Sequence, residues 1–334
     1  MRHTEAMDKT IYLGALDIGG TKLAATVADA SGPLARVVAP TARSGGERAV
    51  GEQATSLLAQ ACATAGIAPG MIRRVGVSSC GPFVTVDGAI ALVTPNLCGG
   101  LSGASDLPND WTRIPLESVL RESFADVVIR NDCVAALTGE RSFGALQDQA
   151  NCVYVTWSTG IGFGLCVDGH ILLGKHGNAG HAGHMLLDAA SDALCGCGNR
   201  GDVEALVSGR NLGRRGGQNA AAIFAAARQG ESAERTLVEQ AAQWFGRALY
   251  NLAVTLDTRV FVIGGSVWLH HGDWLEALVQ HEIVTRLPAL TAEVTLKPAA
   301  LGSLVADIGA LCLVLPAEWR ETWRQRQPWQ ALTS

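Results

Sequence analysis

Apolar and polar positions along the chain change period several times, and each change marks an element. "TIYLGALDIGGTKLAATVADASGPL" reads as an apolar strand, a Gly-Gly turn, a second strand and a Ser-Gly-Pro turn. In "GERAVGEQATSLLAQACATAG" the apolar residues recur at helical spacing and stop at Gly66, an ordinary helix end. "IRRVGVSSCGPF" predicts a buried strand entering a Gly-Pro turn, and "DVVIRNDCVAALTGERSFGA" a strand, an Asn-Asp turn and a helix. "NCVYVTWSTGIGFGLCVDGHILLG" returns to the opening pattern, with strands separated by Thr-Gly and Asp-Gly turns. A long amphipathic helix follows in "AERTLVEQAAQWFGRALYNLAVTLD", then a strand ending in Gly-Gly, "RVFVIGGSVW". "VADIGALCLVLPAEW" predicts a last helix.

The strand, glycine turn, strand unit therefore occurs twice, near residues 19 and 160. Each copy precedes helical sequence and a further strand, which predicts two similar α/β lobes facing a cleft. The expected division is a smaller N-terminal lobe over 1–125, rejoined by a C-terminal helix over 305–334, and a larger lobe over 126–304.

Composition narrows the field. The 334 residues are 48% hydrophobic and 17% charged, a globular and not a disordered balance, and long enough for two cores. A net charge of −5 without basic runs gives no reason to expect nucleic acid or an anionic membrane as a partner. No apolar stretch approaches the ~20 residues that span a bilayer. "MRHTEAMDKT" lacks the apolar core of a signal peptide, so a cytoplasmic location is expected. Cys62, Cys80, Cys133, Cys152, Cys166 and Cys312 sit in apolar runs and read as buried thiols. Cys195 and Cys197 are different, being close together in the glycine-rich "CGCGNRGDVE".

Candidate chemistry gathers at the strand ends. In "LDIGGTK", Asp17 precedes Gly19 and Gly20, which let backbone approach a phosphate, while Thr21 and Lys22 add donors. Gly-Gly is also an ordinary hairpin turn, but an acidic residue before it suits water on Mg²⁺. "STGIGFG" and "IGGS" are further loops of this kind. In "RNDCVAA", Asp132 fits either a helix N-cap or a general base that takes a proton from a hydroxyl. In "GNAGHAGHM", His181 and His184 could serve a metal or a substrate.

These motifs, in this order over about residues 11 to 313, resemble the ROK family of bacterial sugar kinases and sugar-responsive repressors. The resemblance implies an actin/hexokinase-like (ribonuclease H-like) two-lobed fold that transfers the ATP γ-phosphate to a sugar hydroxyl. It implies Asp132 as catalytic base with Asn131 beside it on the sugar, and Asn96 and Gly99 of "TPNLCGG" meeting the sugar from the smaller lobe. Asp17, Gly19, Gly20, Thr21 and Lys22 correspond to the first phosphate loop, Thr159 and Gly160 to the second, and Gly264 and Gly265 to the adenosine site. Such a site needs chiefly positioning and charge neutralisation, supplied by Mg²⁺, loop amides and one carboxylate.

Two positions depart from the family pattern. Where its signature reads Glu-x-Gly-His, with both end residues on the sugar, this chain has His181-Ala-Gly-His184. A glutamate accepts from two hydroxyls, whereas a neutral imidazole accepts one bond and donates one. Bacterial N-acetylmannosamine kinases resemble this chain in having the histidine, although other sugar kinases of the family share it. Second, the family's CxCGxxGCxE holds a structural zinc through three cysteines and the preceding histidine. Here Asp202 replaces the third cysteine, so His184, Cys195, Cys197 and Asp202 are the expected Zn²⁺ ligands. Glu204 matches the closing glutamate that meets the sugar, and would equally suit a helix N-terminus.

The expected function is an ATP-dependent hexose kinase acting on the 6-hydroxyl of a gluco- or manno-configured sugar, with glucose favoured by its prevalence in the family. N-acetylmannosamine is the alternative. A repressor is disfavoured because the phosphate loop begins at residue 17, leaving no room for a DNA-binding domain. ATP is expected over polyphosphate, for want of a basic stripe. The family's habit implies a homodimer or homotetramer.

Overall fold

The computed structural model describes residues 11–101 and 107–332. The N-terminal "MRHTEAMDKT" and the last residues of the expected 305–334 helix, 333–334, lie outside the described residues. Strands β1 (Tyr12–Ile18), β2 (Lys22–Asp29) and β3 (Gly32–Pro40) form an antiparallel run. Helix α1 (Ala49–Thr64) crosses over to β4 (Ile72–Ser79), which lies parallel to β1. A separate hairpin, β5 (Phe83–Val86) and β6 (Ala89–Leu92), precedes α2 (Leu116–Arg121) and β7 (Asp126–Asn131). After α3 (Asp132–Phe143) the pattern restarts with antiparallel β8 (Cys152–Trp157), β9 (Ile161–Val167) and β10 (His170–Ile171). Four helices follow: α4 (Val203–Val207), α5 (Gly209–Gly216), α6 (Ala220–Gln229) and α7 (Ser232–Leu256). Then come β11 (Val260–Gly264), α8 (Ser266–Val284), α9 (Pro288–Thr291) and β12 (Thr295–Pro298). Helices α10 (Val305–Cys312) and α11 (Arg320–Arg326) complete the chain.

The first sheet has the order β3-β2-β1-β4-β7 and the second β10-β9-β8-β11-β12. Each has three antiparallel strands joined to parallel neighbours, so the repeated strand and glycine-turn pattern is a duplicated topology. The division expected between residues 125 and 126 differs from this arrangement. β7 completes the first sheet, with its ladder running from Arg74↔Asp126 to Ser79↔Asn131, and α3 is the element that turns onto β8 and β9. Parallel pairing with β4 gives the β7 backbone its hydrogen bonds, which places residues 126–131 with the smaller lobe.

The expected C-terminal helix is also interrupted. Helix α10 ends at Cys312, and Pro316, lacking an N–H and restricting its predecessor, separates it from α11. Helix α10 returns to β1 and β4 and crosses α3, where a β-carbon on Gly309 would collide with the Ala135 carbonyl oxygen. Trp323 is fully buried in this return, its indole N–H donating to the Ala30 carbonyl at 3.1 Å, and Phe143 packs on Trp329 with ring centroids 4.9 Å apart. Aromatic burial of this size contributes about 1.5–3 kcal/mol per side chain and anchors the C-terminal segment on both lobes. All nine cysteines are free thiols; those read as buried are so except Cys80, which is half-buried. Among the described residues no helix is long and apolar enough to cross a membrane.

Candidate active site

The C-terminal ends of β1, β7, β8 and β11 carry the glycine loops and Asp132, the edge at which open α/β sheets bind ligands. The first loop is tightly turned: Gly19 N–H donates to the Lys22 carbonyl at 3.0 Å, and the Thr41 hydroxyl donates to the Gly19 carbonyl at 2.7 Å. Thr21 and Lys22 are exposed beyond it. At the foot of the loop, Asp17 accepts from the Ser78 hydroxyl at 3.0 Å. Burial pushes the Asp17 carboxyl up to about 7, helped by the nearby Asp307, against the opposing hydrogen bond from Ser78.

Asp132 begins α3. The Cys133 N–H is shared between Asp132 Oδ1 at 2.8 Å and Asn131 Oδ1 at 3.0 Å, so both carboxylate and amide cap the helix. Burial raises the Asp132 carboxyl above its ordinary range, while the hydrogen bond from the Cys133 N–H pulls it back. The N-cap and base readings are thus compatible: one oxygen caps α3, and the group is kept basic by its surroundings.

His181 lies beside Gly81 of the smaller lobe, whose β-carbon, if present, would stand 3.1 Å from His181 Nε2 and 3.5 Å from Asn131 Nδ2. His181 Nδ1 is 2.8 Å from the Asn178 carbonyl oxygen. A carbonyl only accepts, so Nδ1 carries a proton, and in the tautomer protonated there alone Nε2, on the Gly81 side, is left as an acceptor. Asn178 is itself fixed across the cleft. Its Oδ1 accepts from the Phe83 N–H and its Nδ2 donates to the Phe83 carbonyl, both at 2.8 Å.

His184 turns away toward a different cluster. Its Nδ1 is 3.2 Å from Asp202 Oδ2 and 3.7 Å from Cys195 Sγ, and Cys197 Sγ is 3.5 Å from the same Asp202 oxygen. Donor atoms of these four residues all lie within 4.8 Å of one another. Tetrahedral zinc, with bonds of about 2.0–2.3 Å, would separate its ligand atoms by roughly 3.3–3.8 Å, so the donor set fits that ion. Asp202 divides its oxygens: Oδ2 faces the cluster, and Oδ1 accepts from the Ala205 N–H at 2.7 Å and caps α4. Burial opposes the Asp202 charge, but His184 and the Ala205 N–H outweigh it and hold the carboxyl below its usual range. The Asp202 hydrogen bond raises the His184 imidazole, and burial raises the Cys195 thiol strongly.

Glu204 joins this cluster to the second loop. Its Oε1 is 3.5 Å from Cys195 Sγ, and a β-carbon on Gly160 would stand 3.3 Å from its Oε2. Next to Thr159 opens a cavity of about 750 Å³, lined by Ser158, Thr159, Arg210, Asn219, Ser266 and Val267 among others. Ser266 begins α8, whose 19 residues aim a helix N-terminus at the cavity, a favourable setting for phosphate. Gly264 and Gly265 themselves do not line it. They make the turn, Gly265 at φ +87° with no room for a β-carbon against the Trp157 carbonyl.

Asn96 is drawn to this side too. It packs on Gly20, and its Oδ1 accepts from Arg210 Nη1 at 3.2 Å, a bond between the lobes. Gly99 is less available than expected: its N–H donates to Asn109 Oδ1 at 2.9 Å, and a side chain there would strike the Asn109 carbonyl. Sequence reasoning missed Asn178, Arg210, Ser78 and Asp307. An acid within the apolar "VADIGALC" was the one local signal among them; the others declare themselves only through distant partners.

The sequence pattern of the ROK family matches residues 13–317. The chain belongs to the ROK family. It is 34% identical over 267 residues to an N-acetylmannosamine kinase of Escherichia coli O139:H28, covering 77% of this chain and 84% of that protein. Among solved structures, a ROK hexokinase from Thermus thermophilus is 31% identical with a TM-score of 0.75, covering 91% of this chain and 97% of that one. A ROK glucokinase from Streptomyces griseus, solved with glucose and AMPPNP, is 26% identical with a TM-score of 0.65, covering 90% and 97%. The actin/hexokinase-like fold implied by the motifs is therefore the fold of this ROK protein, with the cleft residues above facing one another between its sheets.

Proposed function

We propose that this ROK-family sugar kinase transfers the ATP γ-phosphate to the 6-hydroxyl of N-acetylmannosamine. The sugar-kinase assignment follows from the family match and from relatives named as kinases. For the sugar, the comparisons favour the alternative expected from the sequence, N-acetylmannosamine, over glucose. Relatives at 34% identity over 77% of the chain are N-acetylmannosamine kinases, a stronger likeness than that to the Streptomyces glucokinase.

The observation that carries the choice is His181, anchored through Nδ1 with Nε2 turned to the cleft. A glutamate there would accept from two hydroxyls. A ring that donates from Nδ1 to Asn178 accepts from one donor at Nε2, which suits a sugar carrying an acetamido arm with a single N–H. Asn178 positions the ring and ties the 81–83 segment of the smaller lobe to it.

In this reading Asp132 accepts the proton of the 6-hydroxyl as the oxygen attacks phosphorus, and Asn131 and Glu204 orient the sugar. Thr21, Lys22 and the Gly19–Gly20 turn receive the transferring phosphate, and Thr159 and the α8 N-terminus the rest of the nucleotide. Asp17 would hold the water shell of Mg²⁺, which neutralises charge on the phosphates. His184, Cys195, Cys197 and Asp202 would hold Zn²⁺, which braces the loop bearing His184 and Glu204.

A coupled ATP-consumption assay over glucose, mannose, N-acetylglucosamine and N-acetylmannosamine tests the assignment. The highest kcat/KM belongs to N-acetylmannosamine; turnover on none of the sugars overturns the kinase reading, and a glucose optimum overturns the substrate. Elemental analysis tests the metal. Purified protein carries a single zinc equivalent, a strong chelator lowers activity slowly in the presence of excess Mg²⁺, and Asp202→Cys retains zinc. Full activity in zinc-free protein overturns the bracing role.

A further inference from the structure

A second cavity, of about 250 Å³, lies away from the cleft at the far end of α3. It is lined by Thr138, Arg141 and Ser142 of α3, Ile171 of β10, and Arg320 and Arg324 of α11. Three guanidinium groups and two hydroxyls thus share one hollow with no carboxylate in its lining, on a chain whose net charge is −5. Ser142 is ten residues beyond Asp132, or about 15 Å along the helix, so the hollow is separate from the reacting groups.

The fold accounts for only part of this charge. Arg141 is preset by donating to the Gln149 carbonyl at 3.2 Å and the Gly169 carbonyl at 3.1 Å, and it suits the negative end of α3. Arg324 has Glu321 at 3.9 Å, a loose and exposed pair of little energetic consequence. The Arg320 backbone N–H donates to the Ala317 carbonyl, while its guanidinium makes no side-chain hydrogen bond or ion pair among the described residues. Trp323, between Arg320 and Arg324 in sequence, is fully buried, so α11 is held in place while its two arginines stay free to serve a ligand.

We propose that this cavity is a binding site for a small phosphate dianion, held by Arg141, Arg320 and Arg324 with the Ser142 hydroxyl; the Thr138 hydroxyl in the lining is committed to the Val134 carbonyl at 2.8 Å. Guanidinium forks match phosphate oxygens in bidentate fashion, and three of them exceed what one carboxylate can accept. The volume falls below the roughly 300–1,000 Å³ of sites for larger ligands, which suits inorganic phosphate or the phosphate of a compact ester and not a nucleotide. A bound dianion would join α11 to the helix that begins at Asp132.

Phenylglyoxal labelling of the full chain, read by peptide mass spectrometry, locates the site without relying on activity. With inorganic phosphate at ten times its dissociation constant, labelling of Arg320 and Arg324 slows about tenfold, while acetate at equal ionic strength leaves it unchanged. Arg320→Ala/Arg324→Ala, two exposed positions, weakens phosphate binding at this site about a hundredfold in equilibrium dialysis, and Asp132→Asn does not. A hexose 6-phosphate protecting better than inorganic phosphate marks an ester as the natural ligand; equal protection by both marks the free ion. Equal protection by acetate, or undiminished phosphate stoichiometry in the double variant, overturns the proposal.

Discussion

Asp132→Asn lowers kcat by about a thousandfold or more while sugar binding changes only a few-fold, because a positioned general base supplies about 10²–10⁴ of the rate. The substitution keeps the shape of the side chain and removes only its ability to take a proton. Helix α3 stays capped, since Asn131 Oδ1 already accepts from the Cys133 N–H at 3.0 Å. Loss of activity is therefore not a folding effect, and an unchanged circular dichroism spectrum and sugar titration confirm that. The pH profile adds a second readout. Burial raises the Asp132 carboxyl, and a base must be ionised to act, so wild-type kcat falls as pH drops through a value above the ordinary carboxylate range. The residual rate of Asp132→Asn lacks this limb. Retained turnover near the wild-type level removes Asp132 from the role of base.

The strand ends were legible because their chemistry is local. Asp17 with Gly19 and Gly20, or Asn131 with Asp132 before a helix, states its geometry within a few residues, since a turn or cap needs only its own neighbours. The duplicated sheet was legible for the same reason, as a pattern of apolar runs and glycine turns repeated. What was hidden depends on partners far apart in sequence. Asn178 grips Phe83 across 95 positions, and Arg210 reaches Asn96 across 114, so no window of sequence contains either pair. The short helices α4 and α5 have too few residues to show a period, and Glu204 alone hints at the start of α4. Yet Asp202 and Ser208 stand at their N-caps, accepting from Ala205 and Asn211, and both are typical cap residues. The motif marks Asp202 only as a metal donor, though the cap uses its other oxygen. Gly99, which fits the family's sugar loop by position, has its N–H committed to Asn109, a partner ten residues on that the motif does not announce.

His181→Glu, which restores the usual family residue, lowers the ratio of kcat/KM for N-acetylmannosamine over glucose by about ten- to a hundredfold. The wild-type ring is held by a donor bond from Nδ1 to the Asn178 carbonyl. A glutamate has no proton to donate there, so it loses that anchor and directs two acceptor oxygens at the sugar instead, favouring a pair of hydroxyls over an acetamido N–H. A charge effect accompanies the change of shape. A carboxylate in place of the ring sets a second negative charge near the buried Asp132 and pushes its carboxyl up, so the acid limb of kcat/KM moves to higher pH. His181→Gln separates the two effects. Its neutral amide can still donate to the Asn178 carbonyl and introduces no negative charge, so the limb moves less than in His181→Glu. A sugar preference unchanged in His181→Glu would show that the choice of substrate is made elsewhere in the cleft. A changed preference with an unmoved acid limb would instead keep His181 on the sugar and separate it from Asp132.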